Sequence, residues 1–213
     1  MGKKFEITEN YVVNEFGTKL YQIKCTKTFK YAKEGELGGY IEKEENLSQE
    51  DDAWVSGNAW VSGNAWVYDN AWVLGDARVL GNAQVYDNAE VLGNARVYDN
   101  AWVSGNARVL GNARVSDNAQ VFGDARVSGN ACVSGNAWVS DNAWVLGDAR
   151  VLGNARVLGN AQVSDNAQVS GDAQVSGDAW VSDDAQVFGD AWVSDDAQVS
   201  DNAQVSGNAR VCK

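Results

Sequence analysis

Alanine returns at every sixth position from Ala53 to Ala209, and valine follows it two residues later from Val55 to Val211, with no insertion or deletion in the run. The 27 hexads have the form Gly/Asp, Asn/Asp, Ala, x, Val, then Ser, Leu, Tyr or Phe, with Cys212 ending the last one. Two apolar residues separated by one position are the alternation of a short strand with one buried face. A helix needs a period near 3.6, so this pattern excludes a helical repeat. The two residues before each alanine tolerate left-handed backbone and favour turns, so every hexad is a short strand followed by a corner. A chain with 22 glycines and no proline fits that scheme, because its turns are made by Gly, Asn and Asp alone.

These hexads resemble the hexapeptide repeat of left-handed parallel β-helix proteins, in which each hexad supplies one face of a triangular prism. The resemblance implies an all-β fold: a left-handed parallel β-helix, a triangular solenoid with three hexads per coil. Residue n then stacks on residue n+18, and 27 hexads make nine coils. At the usual strand spacing the rod is about 43 Å long, and stability accumulates from contacts between neighbouring coils.

The first 50 residues differ in composition. They hold eight of the nine lysines and nine of the ten glutamates, whereas all nineteen aspartates and all eight arginines lie beyond them. Lys3–Ile7, Tyr11–Val13 and Leu20–Cys25 read as short strands, with a turn at Glu15–Thr18. Residues 1–50 are therefore expected to form a small N-terminal β cap and lead-in, and residues 51–213 the solenoid. The stretch Gly35–Ile41, followed by Asn46–Gln49, resembles the lead-in of uncharacterised bacterial and phage hexapeptide-repeat proteins of the YdcK-like type. The cap is expected to cover Trp54, Trp60, Trp66 and Trp72.

Steps of three hexads sort the outward x positions onto three faces. One carries an arginine column, Arg78, Arg96, Arg114 and Arg150, interrupted by Cys132. Stacked guanidinium groups repel unless anions or carboxylates lie between them. The column is either an anion-binding ladder or a solvated face whose arginines pair with corner aspartates such as Asp76, Asp99 and Asp117. A second face carries Trp66, Trp102, Trp138 and Trp192, of which the last three are candidates for an interface because exposed tryptophan is enriched in binding hot spots; scatter by drift within an expanding repeat is the alternative.

Net charge is −12, and from Gln162 to Gln204 there are nine aspartates and no basic residue. Asp165, Asp183 and Asp201 fall in one corner column. Three accounts of that column are open: a divalent-cation ladder, mimicry of nucleic-acid charge, and solubilising acidic turns. Nucleic acid itself is a poor direct ligand for such a surface.

The chain has no histidine. The acyltransferases and zinc-dependent carbonic anhydrases known for this fold depend on histidine, and the acyltransferases also on loops inserted between coils. The expectation is a non-enzymatic protein with no cofactor and no metal. Three cysteines with no close pair fit a reducing cytoplasm, in a bacterium or a phage-infected cell, and no run is apolar enough to span a membrane. The sequon at Asn46-Leu47-Ser48 is expected to be accidental. Val211 and Cys212 close the last coil with no cap after it, which predicts a homodimer formed end to end through the C-terminal coils. The function read from the sequence is a structural or protein-interaction rod; the alternative is a phage-type inhibitor whose acidic coils bind a protein partner, with a hexapeptide-family acyltransferase less favoured.

Overall fold

The computed structural model describes residues 2–213. It is a parallel β-solenoid in which three hexads complete one turn, and it is made of three sheets. Two sheets contain nine strands each; the third contains nine from the solenoid side and three from the N-terminal region. Strand partners lie three hexads apart throughout the repeat, as in Arg96 against Arg114 and Trp102 against Gln120. The register is fixed because every alanine and valine from Ala53 to Val199 is buried, and a slip of one residue would turn them all to solvent. Each buried valine contributes on the order of 1.5 kcal/mol before conformational entropy is counted.

Each corner opens on a residue with positive φ. Nineteen glycines are in this region, most of them at corners, and ten aspartates join them with φ between 52° and 60°. The backbone bonds that flank the paired strands run from N–H groups of each coil to carbonyls of the next. Arg96 N–H donates to the Ala113 carbonyl at 2.9 Å, Ser104 N–H to Val121 at 3.0 Å and Asn94 N–H to Gly111 at 2.8 Å.

The N-terminal region supplies donors to the carbonyls that this directionality leaves open at the start of the rod. Strands β1 (Phe5–Val13) and β2 (Lys19–Cys25) form a hairpin, and β3 (Leu37–Ile41) pairs antiparallel with β2 but parallel with Trp60–Val61. The two segments expected at Lys3–Ile7 and Tyr11–Val13 are thus one strand, with a register shift between Ile7 and Tyr11. Tyr40 N–H donates to Ala59, Glu42 N–H to Val61 and Ser48 N–H to Val67. Asn46, in a single 3-10 turn (Glu44–Asn46), is buried and gives its side-chain amide to the Gly63 and Ala65 carbonyls. That engagement leaves no free amide for the sequon. Lys4, also fully buried, points its ammonium at the carbonyls of Glu50, Asp51 and Ala53 at 3.0, 3.4 and 2.8 Å. Desolvation pushes its pKa down to about 8, against the opposing pull of Asp51 and Asp52. No helix among the described residues is long and apolar enough to cross a membrane.

Candidate functional site

The N-terminal region engages the first face, that of Trp60 and Arg78, and the third, that of Trp54 and Trp72, and leaves the second, that of Trp66 and Trp102, almost bare. On the first face the hairpin tip brings Glu15 within 3.4 Å of Arg78, whose guanidinium lies 4.4 Å over the Trp60 ring. On the third, Tyr31 stacks on Trp72 at 5.1 Å and Phe29 meets Trp54 edge-on at 5.3 Å. Trp54 is fully buried, with an indole N–H that has no acceptor. Trp66 corrects the expectation of four covered tryptophans: it is 44% exposed and stacks instead on Tyr68 at 4.1 Å. The reason is local. Only the turn Glu44–Asn46 and Leu47 approach the second face, and Leu47 is spent on a bridge to Val67.

The arginine column stands where the repeat places it. Arg78, Arg96, Arg114, Cys132 and Arg150 are consecutive partners in one sheet. Their expected pairing with corner aspartates does not occur, since the four ion pairs among the described residues all use glutamate. Arg108 meets Glu90 at 3.1 Å. Elsewhere arginines settle over tryptophan one coil away: Arg126 over Trp144, Arg156 over Trp138 and Arg210 over Trp192, at 5.1 to 5.3 Å. A guanidinium over an indole face gains from the ring quadrupole, and the neighbouring coil supplies that ring at the right height. Arg96, Arg114 and Arg150 have neither partner among the described residues. A cavity of about 420 Å³ opens beside the small Cys132, lined among others by Arg114, Arg150 and Asp148.

The aspartates are occupied as corner residues. Corner residues of the first kind use their carboxylates on backbone N–H groups one coil on: Asp87 accepts from Gly105 at 3.0 Å, Asp117 from Gly135 at 3.0 Å and Asp183 from Asp201 at 3.2 Å. Asp165 and Asp183 also accept from the hydroxyls of Ser164 and Ser182. Asp165, Asp183 and Asp201 stand in the predicted column with φ near 58°. Among the described residues no group of three or more acids or cysteines is arranged to hold a metal ion.

Sequence reasoning missed the second corner position. Its asparagines form side-chain ladders: Asn64 donates to Asn82, and the chain continues through Asn100, Asn118, Asn136 and Asn154 to Asp172 at 2.8–3.2 Å per rung. Lys43 starts it by donating to Asn64 at 3.2 Å. Shorter ladders run from Asn94 to Asp148 and from Asn142 to Asp178. The signal was present in the unbroken recurrence of Asn or Asp at one corner position, which turn propensity alone had already explained.

Of the candidate interface tryptophans, Trp102, Trp138 and Trp192 are 42, 38 and 39% exposed. Trp192 donates its indole N–H to Ser176 at 3.1 Å. At the C-terminal coil the interior opens to solvent: Ala203 and Ala209 are exposed, Val205 and Val211 half-buried, and Cys212 is an exposed free thiol.

Residues 95–111, 101–117, 119–135, 161–177, 167–183 and 203–212 match the family model described as YdcK Beta solenoid repeat. No curated protein matches the chain.

Proposed function

Since the chain is a YdcK-like β-solenoid repeat protein, we propose that it acts as a non-enzymatic rod, a structural or protein-interaction element that self-associates through its C-terminal coil. The observation that carries this reading is the apolar surface of the last described coil. The side chains of Val205 and Val211 lie partly bare there, beside backbone N–H groups of Gln198, Ser200, Gln204, Ser206, Arg210 and Cys212 that make no backbone hydrogen bond among the described residues. An open sheet edge with apolar side chains is a template for pairing with another chain. The N-terminal end is closed by Lys4, Asn46 and β3, so pairing of C-terminal ends stops at two copies. The absence of histidine and the uninterrupted repeat support a role without catalysis.

Light scattering at micromolar concentration tests the proposal. A dimer that Val205→Asp and Val211→Asp convert to monomer is the expected result, together with cross-linking of Cys212 by a short bis-maleimide. A monomer at all concentrations overturns it. A second reading, recognition of a basic protein partner by the acidic coils, is favoured by the nine aspartates between Gln162 and Gln204, none of which has a cationic partner within 4 Å among the described residues. Binding that survives high salt, or survives Asp165→Asn, Asp183→Asn and Asp201→Asn together, would remove that reading.

A further inference from the structure

On the second face, the position after each valine reads Tyr68, Tyr86, Ser104 and Phe122 in successive coils. Tyr68 and Tyr86 stack with planes 7° apart and centroids 4.9 Å apart, one coil step. Their rings therefore lie across the rod axis, and the free face of Tyr86 looks toward the next coil. That coil offers Ser104, and the aromatic column resumes only at Phe122. One rung is missing. In its place is a cavity of about 250 Å³ lined by Tyr86, Trp102, Ser104, Gln120, Val121 and Phe122.

The width of the slot constrains its occupant. The backbone positions of Tyr86 and Phe122 are two coil steps apart, about 9.6 Å, which exceeds the about 7 Å that a flat ring touching carbon on both sides needs, and the Phe122 ring meets Trp138 edge-on at 6.1 Å. A puckered, saturated ring with C–H bonds on both faces fills the greater width. Polar groups at the slot can hold its hydroxyls: Ser104 lines it with a relative exposure of 9%, and its hydroxyl receives no indole N–H of the kind that Ser56, Ser164 and Ser176 accept. The Gln120 amide and the Tyr86 phenol are not engaged there either, although each can both donate and accept. None of the lining side chains is charged, while Asp87, Asp99 and Asp117 stand at the neighbouring corners. Those carboxylates disfavour any ring bearing phosphate or carboxylate.

We propose that this slot binds a neutral hexopyranose, either as a free sugar or as the terminal residue of a glycan. The ring sits between Tyr86 and Phe122 with Trp102 beside it, and Ser104 and Gln120 bond its hydroxyls. Saturation-transfer NMR with the full chain tests this, using glucose, galactose, mannose and N-acetylglucosamine, then their β-linked disaccharides, against glucuronate and glucose 6-phosphate. Transfer to ring C–H protons of at least one neutral sugar is expected, with the charged sugars weaker by roughly tenfold. A stronger signal from a disaccharide than from its monosaccharide identifies a glycan terminus as the source.

Ser104→Phe supplies the missing rung and should abolish transfer, while Phe188→Ala, remote from the slot, should leave it unchanged. Should Ser104→Phe fail to fold, Gln120→Ala decides, with binding weakened by up to about tenfold from one lost hydrogen bond. No neutral sugar signal, equal signal from the charged sugars, or binding that both slot variants retain would overturn the proposal. So would preferential binding of N-acetyltryptophanamide, which would make the slot a receptor for an aromatic side chain.

Discussion

Asn154 gives its side-chain amide to the carboxylate of Asp172 at 2.8 Å, and the Asp172 side chain has no N–H to pass on. The longest ladder on the rod ends there. Asparagine carries both a donor and an acceptor, so it can bond the coils on either side, whereas aspartate can only receive. Aspartate at this corner position is thus a terminator, and its place in the sequence sets how many coils one ladder joins.

Asn118→Ala removes two rungs, the acceptor for Asn100 and the donor to Asn136. At 0.5–1.5 kcal/mol per hydrogen bond, a loss of about 1–3 kcal/mol is expected in urea unfolding, and about half that for Asn118→Asp, which keeps the acceptor. Equal losses for the two variants would show that the donor end of the rung contributes nothing.

Extending a ladder should stabilise the rod. Asp190 follows Asp172 in the same column, so Asp172→Asn gains a donor to that carboxylate and removes one of two stacked like charges. A gain of roughly 0.5–1 kcal/mol is expected, smaller in 1 M salt. A melting temperature that is unchanged at low salt would contradict it.

Corner substitutions should depend on chemistry more than on bulk. A Cβ on Gly129, whose φ is 75°, would lie 2.7 Å from the Gly147 carbonyl oxygen. Gly129→Ala should cost at least about 1 kcal/mol. Gly129→Asp should cost less, because aspartate at ten comparable positions takes φ below 61° and several of those carboxylates accept the N–H one coil on. Denaturation midpoints of the two variants compare them directly; the reverse order would refute the argument.

Lys4 gives a pH signature. Its pKa falls from 10.5 to about 8 on folding, so between these values the unfolded chain binds the extra proton, and the Lys4 contribution to stability rises with pH. Measured against Lys4→Met, the stability of the wild-type N-terminal end should improve from about pH 8 to 10.5 and be flat below pH 7. Hydrogen exchange at Ala59 and Val61 reads that end. A difference independent of pH would mean that the ammonium is not desolvated.

The strict alternation of Ala and Val made the buried positions legible, and the coil length implied by the resemblance then ordered every outward column, including Arg96 beside Arg114. It was silent on where long side chains lean. Of the arginines expected beside Asp76, Asp99 and Asp117, Arg78 instead lies over Trp60 and beside Glu15, and on the other faces Arg126, Arg156 and Arg210 lie over tryptophan and Arg108 beside Glu90. Charge pairing at an exposed corner is weak, and a neighbouring indole face competes well with it. Nothing distinguishes Lys4 from seven other lysines in its segment, because its burial depends on three carbonyls some 46 to 49 residues away in the chain.

By itself, then, the sequence determined a strand-and-corner hexad with its inner and outer positions, because these follow from local backbone preference and apolar periodicity, while the coil of three hexads was implied by the resemblance to hexapeptide-repeat proteins. The tertiary structure decided which polar groups meet across coils. It joined the asparagines into ladders ended by aspartate, turned Lys4 into a plug, left Trp66 bare and opened a slot between Tyr86 and Phe122. Those outcomes depend on side-chain directions and on gaps about one coil high, which exist only once the coils are stacked.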